Sequence, residues 1–408
     1  MSLPQIGVFV GVDYLGTSMM RSLLSQWAAK GSATSLGSFE SAYGAGQIIG
    51  SLVLPHRSDS KGRRSTLQLS CLGTALGYGM SAWAVGSTAG RTEWPLLASR
   101  VMTGLTKQTL TMARAIVGDV QAPERRQAGM AILTWASSVG YLIGPLMGGW
   151  LADGLGIGVP MFLITLLFLA LVVVCGRLPE TAPAAAAAAR SGEDMAAAPA
   201  TASWRWLLAP KLLCALLAIT LVEVALTGWT SVARPRLTKR ILPGGYSSTS
   251  VYDTWLSLCV MLGSGLWGRW QGADTCRFML AGNVAFAAGL AMLLRSTSEL
   301  VLYLSAALLG VGISAARTLP AALLIGIAPD SSRGAVMGIL DLLGSFCRVL
   351  APLLTGNVID AFGSDDAGLA MLVSLILSSS LLLLDSPWSK GAVPAILVLF
   401  VAMALARQ

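Results

Sequence analysis

"GYLIGPLMGGWLAD", residues 140–153, sets four glycines and a proline inside an otherwise apolar stretch. In water both residue types weaken a helix. In a bilayer neighbouring helices satisfy the backbone groups that a proline frees, and glycines four apart let a second backbone approach closely. The stretch therefore reads as a membrane helix near 128–151, bent at Pro145 and packed through Gly140, Gly144, Gly148 and Gly149. It also has a partner. "GPLMGGWLAD" (144–153) matches "APLLTGNVID" (351–360) at a constant offset, pairing Pro145 with Pro352, Gly149 with Gly356 and Asp153 with Asp360. Upstream, "VQAPERRQAG" (120–129) resembles "GIAPDSSRGA" (326–335) with a one-residue slip. Two parallel repeats follow.

The totals agree with a membrane chain. Of 408 residues, 54% are hydrophobic and 12% charged, about half the charged share of a soluble protein. Mean hydropathy is +0.69. Apolar runs of membrane-spanning length lie near 4–24, 36–55, 66–88, 94–117, 128–151 and 157–176, and again near 209–231, 249–268, 277–295, 299–324, 334–358 and 367–385. The first run lacks a small-residue cleavage site and reads as a span rather than a removable signal. The expected fold is all-α: twelve transmembrane helices in two pseudo-symmetric six-helix bundles, residues 1–177 and 209–385. An Ala/Pro-rich cytoplasmic linker, 178–208, joins them. The hydrophobic tail, 386–408, contains "AVPAILVLFVAMALA" (392–406), which fits a thirteenth crossing, an interfacial helix or a packed terminus.

The net charge of +8 sits in short segments between apolar runs and forms no basic domain, so it reports topology rather than nucleic acid. Arg57, Lys61, Arg63 and Arg64 follow span 2, Arg125 and Arg126 follow span 4, and Arg177, Arg190 and Arg205 lie in the linker. This places both termini on the cytoplasmic side. Arg234, Arg236, Lys239 and Arg240 disagree: they mark either an exterior basic patch or a misplaced end of span 7. The six cysteines are scattered and His56 is the sole histidine, which gives no basis for a metal site, a disulfide framework or a cofactor. No nucleophile elbow or P-loop is present, so an enzyme is not expected.

Charges inside the spans carry the functional signal. In "SRVMTGLTKQTLTMARAIVGD" (99–119), Arg100, Gly104, Lys107, Thr111, Arg114 and Gly118 recur three or four residues apart, a single helical face. A charge at the bilayer centre costs roughly 2.5–3.5 kcal/mol on insertion scales, so three cations on one stripe require a protein-lined, wet or counter-charged surrounding. Candidate counter-charges are Asp13, Glu40, Glu223 and Asp341. Gly338, Asp341, Ser345, Arg348 and Pro352 make a second stripe in span 11, and Arg317 is a deep cation in span 10. Asp13, Arg100, Lys107, Glu223 and Asp341 are the expected substrate and proton pathway. Asp13 and Glu223 are the leading proton carriers, with a fixed pair between Lys107 and either acid as the alternative. Arg114, near Asp119, reads as structural or gating.

Two motifs carry a family resemblance. Asp59, Gly62, Arg63 and Arg64 form D-x-x-G-R-R in the loop "RSDSKGRR" (57–64), which resembles the cytoplasmic signature of the major facilitator superfamily, although Pro55 stands where that family has an earlier glycine. Gly140, Gly144, Pro145, Gly148 and Gly149 form G-x-x-x-G-P-x-x-G-G, similar to the antiporter signature of the same superfamily, and "RLPET" (177–181) resembles a common ending of the first half. "VGVDYLGTSMM" (10–20) and "TKQTLTMARAIVGDVQAPERR" (106–126) look most like the tetracycline-efflux-like branch, with its eukaryotic facilitator-domain and organic cation transporter-like relatives. The resemblance implies a monomeric transporter that exports a small organic solute by alternating access, in exchange for protons. It also implies a cytoplasmic gate formed by Asp59, Gly62, Arg63, Arg64, Arg114 and Asp119. Uniport or symport of an anionic metabolite and a non-transporting receptor or scaffold are the competing expectations.

Overall fold

A computed structural model describes residues 3–86, 93–121, 126–177, 180–181, 209–242, 244–269, 275–327 and 333–384. The linker, apart from Glu180 and Thr181, and the whole tail 386–408 lie outside the described residues. The described residues form α1 (Leu3–Ala28), α2 (Ala33–Lys61), α3 (Arg63–Gly86), α4 (Glu93–Thr106), α5 (Thr109–Val120), α6 (Arg126–Leu155) and α7 (Gly158–Gly176). The second half supplies α8 (Pro210–Gly228), α9 (Arg234–Ile241), α10 (Tyr246–Arg269), α11 (Thr275–Leu294), α12 (Glu299–Ile327), α13 (Arg333–Phe362) and α14 (Ser364–Leu384). A π-helical turn, Trp229–Ala233, joins α8 to α9. With α4 and α5 counted as one interrupted rod and α8 to α9 as another, twelve rods match the twelve expected spans, and the all-α fold is as read from the sequence.

Seven rods are long and apolar enough to cross a bilayer on composition alone, including Gly129–Leu155, Pro210–Ile241 and Val336–Phe362. They carry exposed apolar side chains, among them Trp135, Trp150, Phe162 and Leu217, as a lipid-facing surface requires. The interior is unusually rich in hydroxyls. Thr74, Ser81, Ser99 and Thr103 are buried on α3 and α4, and each donates to a carbonyl three or four residues back, a pattern that hides polar groups from lipid.

By contacts the chain forms two compact units. One comprises Met1–Trp27, Ala42–Ala198 and Gly245–Thr254; the other comprises Ala28–Ser41, Pro199–Gly244 and Trp255–Gln408. Within the first, the opening stretch does what its glycines suggest. A Cβ at Gly140 would meet Gly11 O and Leu15 N at 2.7 Å, and one at Gly144 would meet Leu15 O at 2.5 Å. Gly148 faces Met19 and Leu23. The three glycines thus seat α1 against α6 running the same way, and Ser18 Oγ donates to Gly140 O at 2.9 Å across the seam.

Three expectations need correction. The segment 57–64 is not a loop: α2 continues through Pro55 to Lys61 and α3 starts at Arg63, so Gly62 alone makes the break, at φ +101°. Only glycine tolerates that conformation readily. The fourth span is not one continuous helix, for reasons given below. The seventh rod runs to Ile241, ten residues past the expected end, because the π turn and Pro235 at the start of α9 carry the helix onward. That extension accounts for the basic segment. Arg236 Nη2 donates to Gly31 O, and Arg240 Nη2 donates to Leu294 O at the end of α11 at 3.2 Å. Cations at carbonyl-rich helix ends are favourable.

Gly144→Leu is expected to break the α1–α6 seam, because the Ser18 hydroxyl and the backbone of Leu15 and Met19 fill the space. A loss of about 3 kcal/mol or more, read by thermal unfolding in detergent, is the expected outcome. Gly154→Ala, where a Cβ meets nothing within 4 Å, should change it little.

Candidate functional site

The fourth rod is interrupted between Thr106 and Thr109, which leaves Lys107 and Gln108 outside helical geometry. Lys107 N still reaches Thr103 O at 2.8 Å, but Gln108 N turns back to Thr106 O. Ser70 on α3 holds the break: its hydroxyl donates to Thr106 O at 2.6 Å and accepts from Gln108 N at 3.3 Å. Gly73, one turn on, makes room for the Thr106 side chain. Backbone freed at membrane depth must find partners inside the protein, and here one serine supplies both. The expected single stripe consequently divides. Arg100 and Lys107 are buried and Gly104 packs against Tyr43 O, whereas Thr111 and Arg114, past the break, are exposed.

The break delivers Lys107 to Asp13. Nζ of Lys107 donates to Asp13 Oδ2, with side chains 7% and 0% exposed, and lies 3.4 Å from Thr109 Oγ1. Aromatic rings close around the ammonium: its Nζ is 5.5 Å from the Tyr14 ring centre and 5.2 Å from that of Phe168, a cation–π setting. Asp13 Oδ1 is buried with no hydrogen-bond partner among the described residues. Arg100, seven residues earlier and on α4, stacks on Tyr43 at 4.6 Å.

In the second unit, Glu223 lies on α8, and the cations whose charges act on it are Arg317 of α12 and Arg348 of α13. Arg348 Nη2 donates to Ser345 Oγ at 2.9 Å. Asp341, expected in the pathway, is exposed on α13, and its carboxylate makes no ion pair among the described residues. Glu40 is buried on α2.

Of the residues expected in the gate, Arg63 and Asp119 meet beside α3. Arg63 Nε pairs with Asp119 Oδ2 at 2.9 Å and Arg63 Nη1 donates to Ser58 Oγ at 3.1 Å. Arg64 is exposed, and Arg114 does not join the pair. Asp59 falls on α2, with its side chain outside the described residues. A residue that the sequence reading quoted without a role completes the motif. Glu180 of "RLPET" accepts Arg63 N at 2.7 Å and Arg64 N at 3.2 Å, capping α3 with both oxygens.

Asp253 is the acid that sequence reasoning passed over. It is 5% exposed on α10 and accepts from Ser22 Oγ of α1 at 2.9 Å, while Gln26 Nε2 donates to Ser22 Oγ and Ser250 Oγ. A carboxylate inside the apolar run 249–268 was itself the signal, since intramembrane acids are rare without a role.

A twelve-rod helical fold, duplicated halves, an interrupted fourth rod and an arginine–aspartate motif at the turn between the second and third rods define a membrane transport fold. The profile of the Major Facilitator Superfamily matches residues 6–252 and 244–397, and the chain belongs to that family as a multi-pass integral membrane protein. It is 33% identical over 126 residues to mouse Major facilitator superfamily domain-containing protein 10, covering 31% of this chain and 26% of the relative. It is 31% identical over 136 residues to the class H tetracycline resistance protein of Pasteurella multocida, covering 33% and 32%. These matches span about a quarter to a third of each relative's length. Among solved structures, the human organic anion transporter MFSD10 (TETRAN) aligns with a TM-score of 0.63 at 20% identity over 93% of this chain and 98% of that one. The nucleoside transporter NupG aligns at 0.74 and 13% identity over 100% of both.

Ser70→Ala should cost about 0.5–1.5 kcal/mol, because it removes two hydrogen bonds at the break and leaves Gln108 N and Thr106 O only each other. Asp13→Asn leaves the Lys107 charge uncompensated and should cost about 3–5 kcal/mol, most of it recovered in Asp13→Asn/Lys107→Met. Thermal unfolding of the purified variants in detergent checks both.

Proposed function

We propose that the chain is a secondary active transporter that moves a small organic solute across the bilayer by alternating access, in exchange for protons. One observation carries this reading: Asp13 is fully buried with one oxygen on Lys107 and the other without a partner among the described residues. A buried acceptor left unsatisfied is costly, and a proton on Asp13 relieves that cost while releasing Lys107. The pair thus offers an acid that can take up a proton and a cation released when it does, as an ion-coupled carrier needs. Glu223, between the charges of Arg317 and Arg348, is the corresponding acid of the second half. The antiporter-type glycine motif and the likeness to tetracycline resistance proteins support exchange.

A second reading, uniport or symport of an anionic metabolite, is favoured by a separate observation. Exposed Arg114 and Arg317 outnumber exposed Asp341 among the charges deep in the rods, and a solved relative is described as an organic anion transporter. The Arg63–Asp119 pair, with Glu180 on α3, forms the cytoplasmic gate in either case.

Flux in proteoliposomes with an imposed pH gradient, screened over anionic, cationic and neutral solutes, separates the two. Exchange predicts flux that follows the gradient and falls by about tenfold or more in Asp13→Asn and Glu223→Gln, with both variants still inserted. Flux that persists without a gradient selects uniport, and unchanged coupling in both variants refutes the carrier assignment.

A further inference from the structure

The repeat seen in the sequence reappears as a duplicated clasp. Near the end of α6, Asp153 accepts the N–H groups of Tyr246 at 2.7 Å and Ser247 at 2.9 Å, the first residues of α10. One turn earlier, a Cβ on Gly149 would meet Ser250 Oγ at 2.5 Å and Ser247 Cα at 2.9 Å. Further down, Leu142 O accepts from Thr254 Oγ1 at 3.2 Å. In the other unit Asp360, near the end of α13, accepts Ala33 N at 2.9 Å and Thr34 N at 2.8 Å at the start of α2. A Cβ on Gly356 would meet Ala33 O at 2.6 Å and Thr34 Cα at 3.0 Å, and Val349 O accepts from Ser41 Oγ at 2.5 Å. Asp153, Gly149 and Leu142 correspond to Asp360, Gly356 and Val349 at the offset of the sequence repeat. Tyr246, Ser247 and Thr254 correspond to Ala33, Thr34 and Ser41 at another constant offset.

An aspartate that merely capped its own helix would be local, and Ser32 does that for α2 by accepting Ser35 N at 3.0 Å. Asp153 and Asp360 instead satisfy the first N–H groups of helices contributed by the opposite half of the chain. The bonds are charge-assisted and directional. They also lie at exposed rims, so water can replace them at little cost when the helices part. Glycine on the turn below removes side chains that would interlock, and the bond further down is a hydroxyl on a carbonyl. Such a contact is specific when closed and cheap to open.

We infer that Asp153 and Asp360 are positioning residues of the transport cycle: two equivalent releasable carboxylate clasps that hold α6 to α10 and α13 to α2, and that let go in the alternate state. The inference rests on the transporter reading above. Neither acid touches solute, and each acts by setting how often its own helix pair opens.

The test uses the full chain in membrane vesicles of both orientations, with Ser25→Cys as reporter. Ser25 is 5% exposed near the end of α1, level with the end of α6, which runs alongside in the same direction. Labelling by a membrane-impermeant maleimide is quantified at residue 25 by peptide mass spectrometry. Asp153→Asn and Asp360→Asn should each speed labelling by about tenfold, and the pair by about a hundredfold. Asp153→Glu/Asp360→Glu, which keeps charge and acceptors, should stay within about threefold of the parent. Labelling of the double asparagine variant at the parent rate would overturn the inference. Should that variant fail to insert, Thr34→Cys/Asn357→Cys supplies a second arm, since the parent side chains sit 3.2 Å apart. A disulfide there should stop solute flux and a reductant restore it; unchanged flux under the cross-link also overturns the inference. Labelling needs no solute, so absence of flux from the parent sinks the transport reading alone, whereas parent-rate labelling sinks the clasp alone.

Discussion

The burial of Lys107 against Asp13 is the constraint around which the first unit is organised. An ammonium at that depth is tolerated only with a counter-charge and a polarisable lining, and both are provided by three rods: α1 brings Asp13 and Tyr14, α7 brings Phe168, and the broken fourth rod brings the lysine. The break follows from the same requirement. Ser70 draws off the Thr106 carbonyl and the Gln108 amide, which frees the chain to turn Lys107 toward α1. The glycines of α6 then set how near α1 lies, so the ion pair and the close seam on either face of α1 reinforce one another.

Much of the architecture was legible because hydropathy and backbone approach are both local properties. The twelve spans emerged from run length, and their ends lie within a few residues of the helices except at the second, which continues through Pro55 to Lys61, and at the seventh, where a π turn and a favourably placed proline prolong a rod past its apolar stretch. The stripe of Gly140, Gly144 and Gly148 was legible for the same reason: absent side chains at a spacing of four have one common use in membrane helices. Membership of the family followed from Asp59 to Arg64 and from the proline–glycine pattern around Pro145.

What escaped the sequence depends on partners far along the chain. Nothing in Thr106–Lys107–Gln108 announces a helix break, since no glycine or proline is present; the cause is a hydroxyl on a different helix. Glu180 reads as part of a family ending, and only the fold brings it to the first amides of α3. Asp253 stands in an apolar run, and the hydroxyl it accepts from, Ser22 Oγ, lies on α1, far along the chain. The aspartates at the ends of α6 and α13 were noticed as matching letters, and their meaning depended on which amides they meet.

The π turn at Trp229–Ala233 has a mechanical corollary. A π turn holds one residue more than an α turn, so tightening it into α geometry would rotate everything beyond it by roughly 100° about the rod axis. That rotation would lift Arg236 from the Gly31 carbonyl and Arg240 from the Leu294 carbonyl. The two guanidiniums therefore act as a detent, fixing the angular setting of the rod's far end, and the basic segment that looked out of place by charge counting is what keeps a wide helical coil from winding down.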